Sequence, residues 1–251
     1  MMNSDMNHDM ALNRVERLLG GDTLSKIQHA KIIIFGVGGV GSWTAEALVR
    51  SGVRCLTIVD ADDVAESNIN RQLMALHSTV SRPKVEVLKT RLLDIAPDAE
   101  IVAVKKLYNA DTASEFELQD YDYVIDAIDS LSDKALLILN ATAVRTKLYS
   151  SMGAALKLDP QKIQVAEFWK VQGCPLAAAL RHKFKRSGMM PRRKFKCVYS
   201  PELLANVADA PQDKSGAMSF NKVRINGALC HITGTFGFFM AGLVIEDICK
   251  G

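Results

Sequence analysis

The chain has 251 residues, 48% of them hydrophobic, and a formal net charge of +3. That length suits one α/β domain with an appendage or two small domains, and the apolar share supports a packed core. So small a net charge names no partner. The five cysteines are widely spaced with no C-x-x-C pair, which argues against a tetrahedral zinc site or a disulfide framework and for a reducing, cytoplasmic compartment.

The first ten residues are polar and lack the apolar stretch of a signal peptide; a disordered tail is expected over residues 1–13. From Lys31 strands and helices alternate. Ile32–Phe35 is a continuous apolar run, as a strand buried on both faces requires. A helix over Ser42–Arg50 follows, then a strand at Cys55–Val59 ending at Asp60. Val85, Leu88, Leu92 and Ile95 share one face of a helix over Lys84–Ile95, which Pro97 stops. Ile101–Val104 predicts a third strand, Asp111–Leu118 a short helix, Tyr123–Ile128 a fourth strand, Leu131–Arg145 a helix and Leu148–Ser151 a fifth strand. This order predicts an α/β fold with a Rossmann-like, doubly wound, mostly parallel sheet over residues 14–153.

After Gly153 the pattern changes. Residues 154–251 read as a C-terminal extension with antiparallel character, packed on the same domain. Ile163–Trp169 is a β segment outside the parallel series. Cys174–Lys185 is a helix with Leu176, Leu180 and Phe184 spaced by four. Between Arg181 and Lys196 stand Arg181, Lys183, Lys185, Arg186, Arg192, Arg193, Lys194 and Lys196 with no acidic residue. A mobile segment is expected from about 181 to 220, with Ala208–Ser219 rich in turn residues. Leu229–Ile245 is apolar and borderline in length for a membrane span. His231 and its Thr and Gly residues favour a buried or dimer-facing helix or strand, so no stable span is expected.

Gly36-Val37-Gly38-Gly39-Val40-Gly41-Ser42 follows a strand and opens a helix. Glycines there allow a tight turn and close approach of a phosphate to the backbone, and the helix end supplies N–H donors and partial positive charge. The loop alone also fits NAD or a tight structural turn, and Asp60, placed to bond a ribose hydroxyl, does not separate these. A triphosphate carries more charge and calls for Arg, Lys and a divalent metal. Arg71 and Lys84 are candidate clamps and Asp129 a candidate Mg2+ ligand. Each alone has a plainer reading: a surface arginine, a surface residue at a helix start, and a helix N-cap. Their joint place at one sheet edge favours ATP.

The run G-x-G-G-x-G-S, D-x-D-x-V-x-x-S-N-x-N-R-Q from Asp60 to Gln72, Pro83-Lys84 and D-A-I-D-S from Asp126 resembles the ubiquitin-activating-enzyme superfamily, which includes ThiF-type adenylyltransferases. Arg14-Val15-Glu16-Arg17 and Gly20-Gly21 are similar to its opening segment. The resemblance implies a dimer that activates a carboxylate with ATP, typically as an acyl-adenylate. It assigns Gly36, Gly38, Gly39, Gly41, Ser42, Asp60 and Asp62 to the nucleotide, Asp60 holding ribose. Asn68, Arg71 and Lys84 fall on phosphates and Asp129 on magnesium, and Arg17 would reach the triphosphate of the partner subunit.

Asp159-Pro160-x-x-Ile163-Gln164-Val165, Cys174-Pro175-Leu176-Ala177, Cys197-Val198-Tyr199-Ser200-Pro201-Glu202 and Thr235-Phe236-Gly237 resemble the tRNA threonylcarbamoyladenosine dehydratases of that superfamily. The resemblance implies ATP-driven cyclodehydration of a threonine carboxylate on a modified adenosine. Some members hold K+ or Na+, for which no residue here is assigned, and a sulfur-transfer protein is a further implied partner. Cys174 and Cys197 read either as reactive thiols or as small buried hydrophobes. Some members carry a cysteine where this chain has Lys222. The eight basic residues from Arg181 to Lys196 suit contact with the tRNA phosphate backbone, or alternatively form a solvated linker. Two other functions compete: an adenylyltransferase for the C-terminus of a ubiquitin-like sulfur carrier, and a non-catalytic nucleotide sensor.

Overall fold

The computed structural model describes residues 10–208 and 226–251. The expected tail before Met10, the stretch 209–225 and Lys222 lie outside the described residues. Seven strands form one sheet: β1 (Lys31–Phe35), β2 (Cys55–Val59), β3 (Glu100–Val104), β4 (Tyr123–Asp126), β5 (Lys147–Ser151), β6 (Gln164–Glu167) and β7 (Lys196–Tyr199). Their order is β3-β2-β1-β4-β5-β7-β6. All neighbours run parallel except β6 and β7, so the mostly parallel, doubly wound sheet with an antiparallel extension is as expected.

β1 shows why the sheet needs cover on both sides. Ile32 and Ile34 join one apolar cluster and Ile33 and Phe35 the other, all four fully buried. The first cluster takes in α2 (Gly21–His29), α3 (Gly41–Arg50), α4 (Lys84–Ile95) and α7 (Cys230–Lys250), and the second α5 (Leu131–Ala143) and α6 (Pro175–Ser187). Because β1 lies between β2 and β4, the strand order reverses there. A crevice at such a reversal, outside the carboxyl ends of the strands, is where ligands bind.

Several expectations are corrected. Met10–Leu12 is a 3₁₀ turn with Leu12 buried, and α1 (Asn13–Leu19) and α2, unassigned from sequence, follow it. The 111–118 helix resolves into two 3₁₀ turns, Ala113–Glu115 and Leu118–Asp120. The basic run up to Tyr199 does not read as a linker in the fold: Arg181, Lys183, Lys185 and Arg186 lie in α6, Lys196 opens β7, and Arg192, Arg193 and Lys194 lie in the connection between them. β7 was missed because Lys196–Tyr199 is only four residues long and follows a charge cluster.

α7 is long and apolar enough to cross a membrane by length and composition, but in this fold it is a core helix. Ile232, Phe236, Met240 and Val244 are fully buried, a spacing of four that makes one continuous stripe. A Cβ on Gly237 would meet Trp43 Cβ at 2.7 Å, the Val40 carbonyl at 2.8 Å and the Thr44 nitrogen at 3.0 Å. The missing side chain lets the two backbones meet, and Thr44 Oγ1 donates to the Gly237 carbonyl across 3.3 Å.

Gly237→Val should therefore lower stability by about 1–3 kcal/mol through overpacking. Gly242→Ala, whose Cβ meets nothing within 4 Å, should be neutral or slightly stabilising. Urea-denaturation midpoints test this, and equal midpoints for the Gly237→Val variant and the parent would exclude the close helix contact.

Candidate functional site

The β1–α3 loop is shaped by two glycines. Gly36 still donates its N–H to Val59 of β2 at 2.8 Å and then turns at φ +84°, where a Cβ would stand 2.8 Å from the Ala127 carbonyl oxygen. A Cβ on Gly41 would fall 1.8 Å from the Gly36 oxygen. Neither position accepts a side chain. Gly38 and Gly39 have more room: their nearest neighbours would be Gln72 Nε2 at 3.7 Å and Thr233 Cγ2 at 3.1 Å. Ser42 Oγ is buried, donates to the Gly38 carbonyl at 2.6 Å and accepts from Leu73 N–H at 3.2 Å. Its hydroxyl thus locks the loop internally.

Asp60, at the end of β2, ties this loop to the next. One carboxylate oxygen accepts from Val37 N–H at 2.8 Å and the other from Asp62 N–H at 2.9 Å. Burial pushes its carboxyl above the usual range, against the pull of Lys84. Lys84 is only 5% exposed, at the start of α4, and its Nζ lies 2.8 Å from Asp62 Oδ2. The plain surface reading of Lys84 is thereby excluded. Its stem is buried beside Val85 and its charge is held at the mouth of the crevice.

Asn68 is buried at the end of the Glu66–Asn68 turn and accepts from Ala65 N–H at 3.1 Å, so its side chain shapes the loop that presents Arg71. Arg71 donates to the Ser67 carbonyl and to Asn70 Oδ1, both at 2.8 Å. Its own carbonyl is bonded by Trp43 Nε1 of α3 at 3.1 Å. Burial draws the Arg71 guanidinium down from its ordinary value, and the charge of Asp129 opposes that. Asp129 is exposed, three residues past the end of β4. Its N-cap reading is not met, because Ser130 holds that position. The structure therefore brings the glycine loop, Asp60, Asp62, Asn68, Arg71, Lys84 and Asp129 together at the carboxyl edge of β1, β2 and β4.

Arg17 is not brought there within this chain. It lies exposed on α1, donating to Asn13 Oδ1 at 2.7 Å. Leu12 and Leu24, which flank α1, pack beside Gly52, just past the opposite end of α3 from the loop.

The basic residues divide. Arg181 donates to the carbonyls of Phe168 and Val171 and lies over the Phe168 ring. Arg193 donates to the carbonyls of Ala141, Thr142, Arg145 and Thr146, closing the C-terminus of α5. Both serve the fold. Lys185, Arg186, Arg192, Lys194 and Lys196 are exposed and Lys183 half-buried. Cys197 is fully buried and burial pushes its thiol well up, which excludes a reactive thiolate there; Cys174 is buried as well.

Four polar side chains escaped the sequence reading. Gln72 is 7% exposed and its Oε1 accepts no hydrogen bond among the described residues, while its Nε2 lies 3.7 Å from where a Cβ on Gly38 would stand. Asp126, Lys134 and Ser150 form a buried group: Lys134 Nζ lies 2.8 Å and Ser150 Oγ 2.6 Å from Asp126 Oδ2. Burial raises the Asp126 carboxyl, with Lys134 and Ser150 opposing. Removing one charge would leave the other buried alone, a loss of about 3–5 kcal/mol. A lysine four residues into a helix gives no sign in sequence that it turns inward.

Residues 11–248 match the ThiF family. A tRNA threonylcarbamoyladenosine dehydratase of Bacillus subtilis (strain 168) is 35% identical over 241 residues, 95% of this chain and 94% of that protein. The crystal structure of E. coli tRNA N6-threonylcarbamoyladenosine dehydratase in complex with ATP superposes with a TM-score of 0.83 at 33% identity, covering 96% of this chain and 94% of the other. An adenylyltransferase and sulfurtransferase, MOCS3 of Drosophila virilis, is 33% identical over 54% of this chain and 29% of its own length. The chain is a member of the ThiF family, similar over almost its whole length to the tRNA threonylcarbamoyladenosine dehydratases.

Proposed function

We propose that this protein is an ATP-dependent tRNA threonylcarbamoyladenosine dehydratase that works in the cytoplasm as a homodimer. One observation carries the reading. Lys84 and Arg71, charges of the kind a triphosphate needs, stand at the edge of the sheet that carries a glycine-rich loop, Arg71 directly beside Gly39, in a chain similar over almost its whole length to a dehydratase solved with ATP.

The residues fit ATP on their own chemistry. Gly38 brings the backbone of the loop against the Gln72 amide, whose nitrogen a Cβ there would meet at 3.7 Å, and the buried Oε1 of that amide has no partner among the described residues, an acceptor that a ligand donor would satisfy. The Asp60 carboxylate accepts two backbone N–H groups and retains lone pairs for ribose hydroxyls. Lys84 and Arg71 would hold phosphate oxygens, Asn68 shaping the loop between them. Asp129 would hold Mg2+, an ion that commonly takes one or two carboxylates and completes its shell with phosphate and water. When bound, the ion neutralises phosphate charge. In the reaction, a threonine carboxylate oxygen would displace pyrophosphate from the α-phosphorus of ATP; the nitrogen then bonds to the acyl carbon and gives up its proton as the acyl C–O bond breaks and the oxygen leaves on AMP, so that the nucleoside loses the elements of water. Arg17, remote from its own loop, would serve the partner's. Lys183, Lys185, Arg186, Arg192, Lys194 and Lys196 would contact the tRNA backbone, with Arg181 and Arg193 holding the elements that carry them.

The similarity to MOCS3 favours a second reading, adenylation of a ubiquitin-like carrier. Carrier-dependent ATP–pyrophosphate exchange without any tRNA product would select it.

Nucleoside analysis of tRNA incubated with protein, ATP and Mg2+ should show the cyclic product, and Asp129→Ala should cut turnover about 100-fold or more at an unchanged melting temperature. No cyclic product from the parent protein would overturn the assignment. Mixing Arg17→Ala with Asp129→Ala subunits should restore roughly a quarter of parent activity, because half the random dimers hold one intact site. No recovery after verified subunit exchange would remove Arg17 from the partner's site.

A further inference from the structure

The turn between β4 and α5 is held by charges that contact neither the glycine loop nor solvent. Asp126 and Lys134 are both 0% exposed. Asp126 Oδ1 accepts from Ile128 N–H at 3.1 Å, while Lys134 Nζ donates to the Ile128 carbonyl at 3.0 Å. Opposite charges thus grip the two polar groups of one residue. That carbonyl carbon is bonded to the nitrogen of Asp129, so its peptide plane sets where the Asp129 side chain leaves the backbone. The surroundings are equally fixed: Ala127 N–H donates to Phe35 at 2.9 Å, and Ser150 Oγ, from β5, steadies Asp126 at 2.6 Å.

Such a pair is a costly way to fill a core. Apolar residues of the same volume commonly give equal or greater stability than two buried charges. What apolar residues do not supply is directional control of a neighbouring peptide group. We propose that Asp126 and Lys134 are positioning residues that set the Ile128–Asp129 peptide so that the Asp129 carboxylate faces the metal–triphosphate. The inference rests on the reading of Asp129 as the Mg2+ ligand. It adds that the aim of this carboxylate is fixed from beneath, by an ion pair that touches no ligand.

The test compares the parent, Asp129→Ala and the neutral double variant Asp126→Asn/Lys134→Met, which leaves no unpaired charge. Calorimetric ATP affinity with and without Mg2+ is measured beside kcat and KM. The double variant should bind metal-free ATP within about twofold of the parent, as its substitutions touch no phosphate-binding group. It should lose most of the Mg2+-dependent gain in ATP affinity. Its kcat should fall about 100-fold with the KM for tRNA little changed, the cost of a misplacement near 1 Å. A folded double variant that keeps the full Mg2+ gain and the parent kcat overturns the proposal. Should it not fold, Ser150→Ala carries the test, since it loosens Asp126 and leaves both charges. A reduced Mg2+ gain at unchanged metal-free affinity then supports the inference, and an unchanged gain overturns it. Asp129→Ala separates the two levels. If that variant keeps the Mg2+ gain, the metal reading fails. If it loses the gain while the folded double variant keeps it, only the positioning role fails.

Discussion

At the turn from β1 into α3, a Cβ on Gly41 would stand 1.8 Å from the carbonyl oxygen of Gly36, so the chain closes this turn only where a hydrogen replaces the side chain. The consequences spread outward. Closing so tightly starts α3 directly at the sheet edge, where its first N–H groups and partial positive charge meet the crevice. It also sets Gly36 against Ala127, which seats the loop after β4 beside the loop after β1. α7 meets the same end of α3 through Gly237, and its Thr233 lies over Gly39. The C-terminal helix is thus a wall of the nucleotide loop as well as part of the core.

The charges at this edge divide by depth. Asp126 and Lys134, fully buried, bond to each other and to backbone. Asp60 holds two backbone N–H groups. Asp62 and Lys84 form the next layer, with Lys84 nearly buried and Asp62 about one-third exposed. Arg71 and Asp129 lie outermost and act on each other through space. Coulomb energy between charges rises as water is excluded, so the inner layers hold geometry firmly. On the proposed reading, the outer layer exchanges its mutual attraction for that of phosphates and a metal.

The doubly wound, mostly parallel sheet was legible because β1, β2 and β4 are apolar runs ending at glycine or aspartate, and the candidate nucleotide residues stood out by their place at the ends of those runs and in the motifs that follow them. What sequence did not show has a common physical origin, which is a side chain whose direction depends on tertiary contacts. Lys134 and Gln72 are polar residues in helical or turn contexts that turn inward, and nothing local requires it. Arg193 read as one of eight equivalent cations, yet its guanidinium gathers four carbonyls at the end of α5. Lys84 read as a surface residue when taken alone, and its burial follows from Asp62, 22 positions away. β7 was hidden by the charge cluster that precedes it.

On the proposed reading, the placement of that cluster bears on how the substrate is held. α5 begins beside Asp129 and ends at the carbonyls that Arg193 closes. Its 13 residues rise by about 20 Å, so Arg192, Lys194 and their neighbours stand near the opposite edge of the sheet from the nucleotide crevice. A free nucleoside seated at Asp129 does not reach them. A folded tRNA does, because its phosphate backbone extends far beyond the modified base. On the proposed reading the two halves of the molecule divide the work, the crevice supplying the chemistry and the distant basic face holding the polymer. Contacts of that second kind weaken steeply with salt, so ionic strength acts on capture of the polymer and leaves the geometry of the crevice unchanged.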